Sequence, residues 1–238
     1  MISKKVKVIW NKRKQWASHL SKEIKSFLKS KGFSIVKGNA NATIVIGGDG
    51  TIFYHKSEIS GRLVGIGSES SYICQLNRDT WQDSIVDILK SNESISLSTI
   101  DVFLINRNRK RKVDYALNDV VIHSSNFSTV QILYLTNLNV GYFEGDGLIV
   151  STPLGSTGYN LSVGGPVVEL DVNAFIVSPI APVKSLVKPR IVNDNIDIRI
   201  TFKGDATLII DGQKRKKLPR DAIVLLSKSN KSIDYALW

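Results

Sequence analysis

Apolar residues in the first ninety positions fall into two textures, short continuous runs and stripes at every third or fourth place. Their alternation predicts an open α/β layer. Val6-Lys7-Val8-Ile9-Trp10 reads as a first strand. A helix follows from about Gln15 to Lys31, with Trp16, Leu20, Ile24, Phe27 and Leu28 on one face and Gly32 as its stop. Ala42 to Ile46 is a second, parallel strand and Arg62 to Ile66 a third. Trp81 to Lys90 repeats the helical period through Ile85, Ile88 and Leu89. These parts predict a small doubly wound half-domain with a mostly parallel sheet.

After Ser91-Asn92-Glu93-Ser94 the texture changes to β-branched, strand-length segments separated by turn residues. Strands are expected at Ser98 to Ile105, Val113 to Leu117, Val120 to His123, Thr129 to Leu135, Leu138 to Tyr142 and Gly147 to Ser151. Further strands are expected at Ala174 to Val177, Ile196 to Phe202, Ala206 to Ile210 and Ile223 to Leu226. The expected organisation is an α/β domain over residues 1–92 and a β-rich domain over 93–238, with a return of the last strand to the first domain left open. No internal repeat or low-complexity tail interrupts it.

With 238 residues, 42% of them hydrophobic, the chain can bury a substantial core. No apolar stretch reaches the roughly 18 to 20 residues of a membrane helix. The start, Ser3-Lys4-Lys5-Val6-Lys7, lacks the apolar core of a signal peptide, so a cytoplasmic address without membrane partners is expected. The single cysteine, Cys74, cannot form an intramolecular disulfide. His19, His55 and His123 show no zinc-ligand spacing, so no structural metal is expected.

The formal net charge of +11 favours anionic partners: nucleotides, nucleic acid or acidic lipid. Its densest runs are Arg107-Asn108-Arg109-Lys110-Arg111-Lys112 and Lys214-Arg215-Lys216-Lys217, placed as solvated hairpin tips would be. They lack interleaved aromatics and no recognition helix accompanies them, so a nucleic-acid-binding module is the weaker reading.

Three segments carry chemistry. Directly after the Ala42–Ile46 run stands Gly47-Gly48-Asp49-Gly50-Thr51, a carboxylate inside a glycine turn at a strand end. Glycines let the backbone take positive φ and approach a phosphate closely, while Asp49 can hold Mg²⁺ or orient a hydroxyl. Asn118-Asp119 interrupts a β-rich stretch and offers an amide beside a carboxylate, a pair able to bind an adenine edge or ribose hydroxyls. The third runs from Gly145-Asp146 through Ser151-Thr152-Pro153-Leu154-Gly155-Ser156-Thr157-Gly158-Tyr159 to Gly164-Gly165-Pro166. There a strand feeds a turn of small hydroxyl residues and a short helix, where Ser156 and Thr157 can bond a base edge or phosphate. No Gly-x-x-x-x-Gly-Lys-Ser/Thr sequence occurs, which disfavours a P-loop kinase.

In this order the three segments resemble the NAD kinase family, and Ile210-Asp211-Gly212-Gln213 is similar to its late Asp-Gly-Gln element. The resemblance implies an α/β domain before a β-rich, NAD-binding one, with the active site in the cleft between them. It implies Mg-dependent transfer of a phosphoryl group from ATP or polyphosphate to the adenosine-ribose 2′-hydroxyl of NAD, giving NADP. It assigns Asp49 as the catalytic carboxylate and Gly47, Gly48, Gly50 and Thr51 to phosphates. Asn118, Asp119, Ser156, Thr157 and Tyr159 would line the adenosine pocket, with Asp146, Ala181 and Gln213 nearer the rest of the dinucleotide, and Gly158, Ser162 and Asp211 are further nucleotide-binding candidates. A homodimer or homotetramer is implied as well.

Two positions depart from the family pattern. Gly67 to Cys74 stands where the family carries Thr-Gly-His-Leu-Gly-Phe, and Tyr72 is the residue there that can offer a stacking face. Glu144 stands where a basic residue is common, placing an acid beside a diphosphate. The nearest rival reading is a lipid kinase of the diacylglycerol type, which shares the Gly-Gly-Asp-Gly-Thr turn.

Overall fold

In the computed structural model of the chain, the helix predicted by the apolar stripe runs Gln15–Ser30 and buries Ala17, Leu20, Ile24 and Leu28. Its end is fixed by backbone chemistry. Gly32 takes φ +84°, so that its N–H reaches Lys29 O at 3.0 Å while the Phe33 N–H reaches Leu28 O at 3.0 Å. Phe33 and Leu28, both buried, complete a Schellman stop. The structure describes residues 4–107, 109–126, 128–183 and 187–237; Ser3 and Asn108 of the basic segments lie outside them.

The chain divides into two units: one runs to Ser96 and takes back the segment from Ile233, and the other is Leu97–Ser232. Among the described residues the first holds a seven-stranded sheet in the order Ser34–Val36, Lys5–Trp10, Ala42–Ile46, Arg62–Gly67, Ile233–Ala236, Ser94–Leu97, with Leu76–Asn77 also paired to Arg62–Gly67. Its central pairs are parallel, with Val8 opposite Ile44 and Ile44 opposite Val64. Ala42–Ile46 is buried along its whole length, as a continuous apolar run in a parallel sheet requires. The helix expected over Trp81 to Lys90 is instead a 3₁₀ turn, Trp81–Asp83, and an α-helix, Ile85–Lys90. Ser84 leaves helical geometry at φ −122° and stands at the N-cap position of the second piece without a side-chain cap bond. Trp81 meets Phe27 edge-on at 5.3 Å between ring centroids.

The second unit is a sandwich of two antiparallel sheets of six strands each among the described residues. One is ordered Val140–Gly145, Val130–Leu135, Ile198–Lys203, Ile223–Lys228, Ile100–Asn106, Arg109–Ala116; the other is Arg190–Asn193, Ala174–Ile180, Gly147–Ser151, Asp119–Ser124, Ala206–Ile210, Lys214–Lys217. Residues of both, among them Ile132, Tyr134, Ile200, Ile122, Val150 and Phe175, form one core. The central strand Gly147–Ser151 is buried on both faces, because Val121, Ile149 and Ile180 pack with Val163 on the side away from that core.

The basic runs extend from hairpin turns into strands: Arg107 is the turn residue after Ile100–Asn106, and the residues from Arg109 on are paired. Arg109–Lys112 belongs to an edge strand, and Lys214–Lys217 is an exposed edge strand paired to Ala206–Ile210. Charged side chains on an edge deter pairing with another chain.

Candidate functional site

Asp49 opens a six-residue helix, Asp49–Tyr54, at the carboxyl end of strand Ala42–Ile46. Two glycines of positive φ, Gly47 at +145° and Gly48 at +92°, turn the chain there. A Cβ on Gly47 would lie 2.5 Å from Thr51 Oγ1 and 2.7 Å from Asn11 Cβ, so the turn closes only around glycine. Lys14 Nζ donates to the Gly47 carbonyl at 2.7 Å.

The Asp49 side chain is half-buried and engaged. Oδ2 accepts the Tyr72 N–H at 2.9 Å, and Oδ1 accepts the Ile73 N–H at 3.1 Å and the Cys74 thiol at 3.6 Å. The carboxylate thus organises the segment that departs from the family pattern. The last strand supports it from behind, since the Tyr235 hydroxyl donates to Ile73 O at 2.8 Å. Burial, and next the Asp49 charge, push the Cys74 thiol up to about 12, which makes it an inert packing group rather than a nucleophile. Tyr72, 80% exposed, presents its ring to solvent beside Asp49.

Oδ2 accepts a single N–H and keeps a second lone pair, so Asp49 can give one oxygen to a cation. Among the described residues no group of three or more His, Cys, Asp or Glu is placed to hold a metal ion. An ion held at the turn by Asp49 alone needs phosphate oxygens and water for the rest.

The second cluster is built by Asp211. At φ +51° its buried carboxylate accepts the N–H groups of Leu117 at 3.0 Å, Asn118 at 2.7 Å and Asp119 at 3.3 Å. This clamp bends the chain at Asn118, and Asn118 and Asp119 line a cavity of about 270 Å³ together with Tyr159, Asp211, Gly212 and Arg215. Asn118 Nδ2 donates to Asp119 Oδ2 at 2.8 Å. Burial, followed by the Asp211 charge, raises the Asp119 carboxyl to about 7, while the Asn118 bond opposes the shift. Tyr159, 39% exposed, is raised too, by burial and then by Asp146 and Asp119. That places Asp146 within electrostatic reach of Tyr159.

The segment after Gly147–Ser151 packs onto Asn118. The Thr152 N–H donates to Asn118 O at 3.0 Å, and a Cβ on Gly155 would meet that oxygen at 2.2 Å. Gly158 lies beside the Asn118 amide, 3.6 Å from its Nδ2 to a built Cβ. Ala181, at φ +43°, follows Ile180, whose carbonyl accepts the Asp146 N–H at 3.0 Å.

Ser156 is fully buried, and its hydroxyl donates to Val168 O at 3.2 Å and accepts the Val168 N–H at 3.1 Å, which ties the segment after Gly164–Pro166 back to it. Thr157, Ser162, Ala181 and Gln213 do not line the cavity; the Ser162 hydroxyl bonds Gly158 O at 3.4 Å. Two contributors escaped sequence reasoning. Arg215 was counted among solvated charges yet lines the cavity. Buried Asn160 donates to Ser156 O and Pro166 O and accepts the Ser178 hydroxyl at 2.7 Å, fixing the loop. The Gly-Gly-Pro that follows Asn160 was its signal, for a Cβ on Gly165 would sit 2.0 Å from Asn160 Oδ1.

A family model for the ATP-NAD kinase C-terminal domain matches residues 117–236. An NAD kinase of Fusobacterium nucleatum is 30% identical over 98% of this chain and 91% of its own length. One of Picrophilus torridus is 32% identical over 88% of this chain and 78% of its own. Two solved structures share the fold. The yeast NADH kinase complexed with NADH superposes with a TM-score of 0.86 at 17% identity, covering 99% of this chain and 84% of that one. The NAD kinase from Archaeoglobus fulgidus in complex with ATP gives 0.81 at 22% identity, covering 97% and 92%. Neither the lipid-kinase nor the nucleic-acid reading gains support from these relatives. With an α/β unit carrying the Gly-Gly-Asp-Gly-Thr turn and a β-rich unit carrying the Asn118-Asp119 cavity, the chain belongs to the NAD kinase family.

Proposed function

We propose that the chain phosphorylates NAD, transferring the terminal phosphoryl group of ATP or polyphosphate to the 2′-hydroxyl of the adenosine ribose and releasing NADP. The observation that carries the mechanism is Asp49, a half-buried carboxylate on a turn of two positive-φ glycines at the end of a central parallel strand. Asp49 orients the attacking hydroxyl and receives its proton, and the backbone of Gly47, Gly48, Gly50 and Thr51 approaches the phosphates. A loose phosphoryl-transfer transition state asks chiefly for in-line positioning and charge neutralisation, which this set provides without a P-loop lysine.

The cavity walled by Asn118, Asp119, Tyr159 and Asp211 suits the nucleoside part of NAD. Asn118 reads the base edge, the Asp119 oxygens accept ribose hydroxyls, and the Tyr159 ring offers an apolar face. Asp146, Ala181 and Gln213 take the remainder of the dinucleotide, Gly158 packs beside the Asn118 amide, and Thr157 and Ser162 meet the nucleotide from outside this cavity. Mg²⁺ carried on the donor phosphates would supply charge neutralisation there, and the free lone pair of Asp49 Oδ2 is the one that takes the hydroxyl proton. A cytoplasmic homodimer or homotetramer is the assembly that family membership suggests.

The test is direct. The purified chain is incubated with NAD, Mg²⁺ and either ATP or polyphosphate, and NADP is read with an NADP-specific dehydrogenase. NADP is the expected product; its absence with every donor overturns the proposal.

A further inference from the structure

The glycine turn contains no cation of its own, yet a phosphate chain bound beside Asp49 needs one. Lys14, between strand Lys5–Trp10 and helix Gln15–Ser30, reaches across to it. Its Nζ donates to Gly47 O at 2.7 Å and stands 3.9 Å from where a Cβ on Gly48 would be. The ammonium therefore lies over the two residues that precede Asp49. Lys14 is exposed, and among the described residues Gly47 O is its only hydrogen-bond acceptor, which leaves two N–H donors for an anion.

A second cation joins it. The Arg78 guanidinium lies 5.3 Å from the centroid of the Trp16 ring, which Lys14 Nζ approaches at 5.7 Å, so one indole steadies both charges. The Arg78 N–H donates to Gly67 O at 2.8 Å. Its side chain pairs with Asp79 at 3.4 Å, both partners being exposed, a contact that water weakens and an anion can displace. Trp10, Ile46 and Ile66 are in register across the sheet, and Gly67 faces Asn77. Lys14, the glycine turn and Arg78 thus all leave the carboxyl ends of neighbouring parallel strands, the side on which open α/β sheets bind ligands.

We propose that Lys14, supported by Trp16 and Arg78, is the phosphate-binding cation of the donor site and grips the phosphoanhydride chain of ATP or of linear polyphosphate against Gly47-Gly48. This rests on the kinase reading above. In the transfer, a bond forms from the ribose oxygen to the terminal phosphorus as the bond to the bridging oxygen breaks. The leaving phosphate takes that electron pair beside Lys14, and the hydroxyl proton passes to Asp49.

The test compares wild type with Lys14→Met, Lys14→Arg and Lys22→Met, the last an exposed lysine on the same helix, with thermal midpoints showing that each is folded. Donor KM is measured with Mg-ATP and, separately, with polyphosphate. Lys14→Met is expected to raise donor KM about tenfold or more with both, the loss of a charge-assisted bond, while the KM for NAD stays unchanged. Lys14→Arg restores most of the loss, and Lys22→Met has no effect. A donor KM for Lys14→Met within about twofold of wild type overturns the inference while NADP formation stands. Should wild type yield no NADP, calorimetric binding of tripolyphosphate decides: binding lost in Lys14→Met upholds the cation's role, and equal binding, or none to either protein, rejects it.

Discussion

Asp211 Oδ1 accepts the Asn118 N–H at 2.7 Å across 93 positions of sequence. The same carboxylate takes the N–H groups on either side, at Leu117 and Asp119, so the Asn118-Asp119 bend exists because a later turn supplies its acceptor. Asp211→Ala leaves three donors with no acceptor in a buried place, each costing about 1 to 3 kcal/mol. The substitution also puts a residue ill suited to φ +51° at that turn. Urea denaturation should show a loss of about 3 kcal/mol or more, with a smaller loss in Asp211→Asn, which keeps one acceptor oxygen and tolerates the backbone. An unchanged midpoint in Asp211→Ala would show that the clamp does not hold the bend.

Asp119 makes stability depend on pH. Its carboxyl, raised from 3.8 to about 7 by burial and by Asp211, binds a proton in the folded state that the unfolded chain releases first. The stabilising contribution is complete below about 4, where both states are protonated, and is lost as pH rises through about 7, at about 1.4 kcal/mol for each unit of the gap. Asp119→Asn cannot ionise. The stability of the variant minus that of wild type should therefore grow from pH 4 to pH 7 and then level, as followed by denaturation at fixed ionic strength. A difference flat across that window contradicts the assignment.

What the sequence discloses about this molecule follows from how local each cause is. Ala42–Ile46, Gly147–Ser151 and Ala206–Ile210 carry their apolar pattern within five residues, and their limits in the structure are the expected ones. Lys214–Lys217 shows no such pattern because an edge strand with four exposed side chains needs none; its pairing is set by Ala206–Ile210. Ile233–Ala236 pairs with a strand some 170 positions earlier, Tyr235 opposite Leu63, and nothing near it in sequence specifies that partner. The glycine turn was legible because positive φ demands glycine. The bond of Ser156 to Val168, 12 residues away, was not legible, because a serine that serves the backbone looks in sequence like one that serves a ligand.

Gly47 and Gly212 separate steric need from conformational need. Both have positive φ, yet a Cβ on Gly47 collides with Thr51 Oγ1 and Asn11, whereas one on Gly212 meets nothing within 4 Å. Gly212→Ala should lose only the backbone penalty, about 1 to 2 kcal/mol. Gly47→Ala adds the displacement of the Asp49 helix, so its loss should be larger and NADP formation should fall at least about a hundredfold, as misplacement of a catalytic group by about 1 Å can do. Steady-state rates and melting midpoints of the two variants check this together; equal effects would mean that the close approach at Gly47 carries no function.

Asp49 has two duties, and two substitutions divide them. Asp49→Asn keeps one oxygen to accept a main-chain N–H from Tyr72 or Ile73 but cannot receive a proton at neutral pH. The folded state should survive with a small shift in midpoint while kcat falls by about 10²- to 10⁴-fold, the usual worth of a general base. Asp49→Ala removes both acceptors, so it should lose activity and also free the segment from Tyr72 to Cys74. The thiol reports that release: Cys74, held near a pKa of 12 by burial and by Asp49, should alkylate slowly at pH 8 in wild type and in Asp49→Asn and markedly faster in Asp49→Ala. Equal alkylation rates in all three proteins would show that the carboxylate does not hold this segment, and an active Asp49→Asn would remove it from the chemistry.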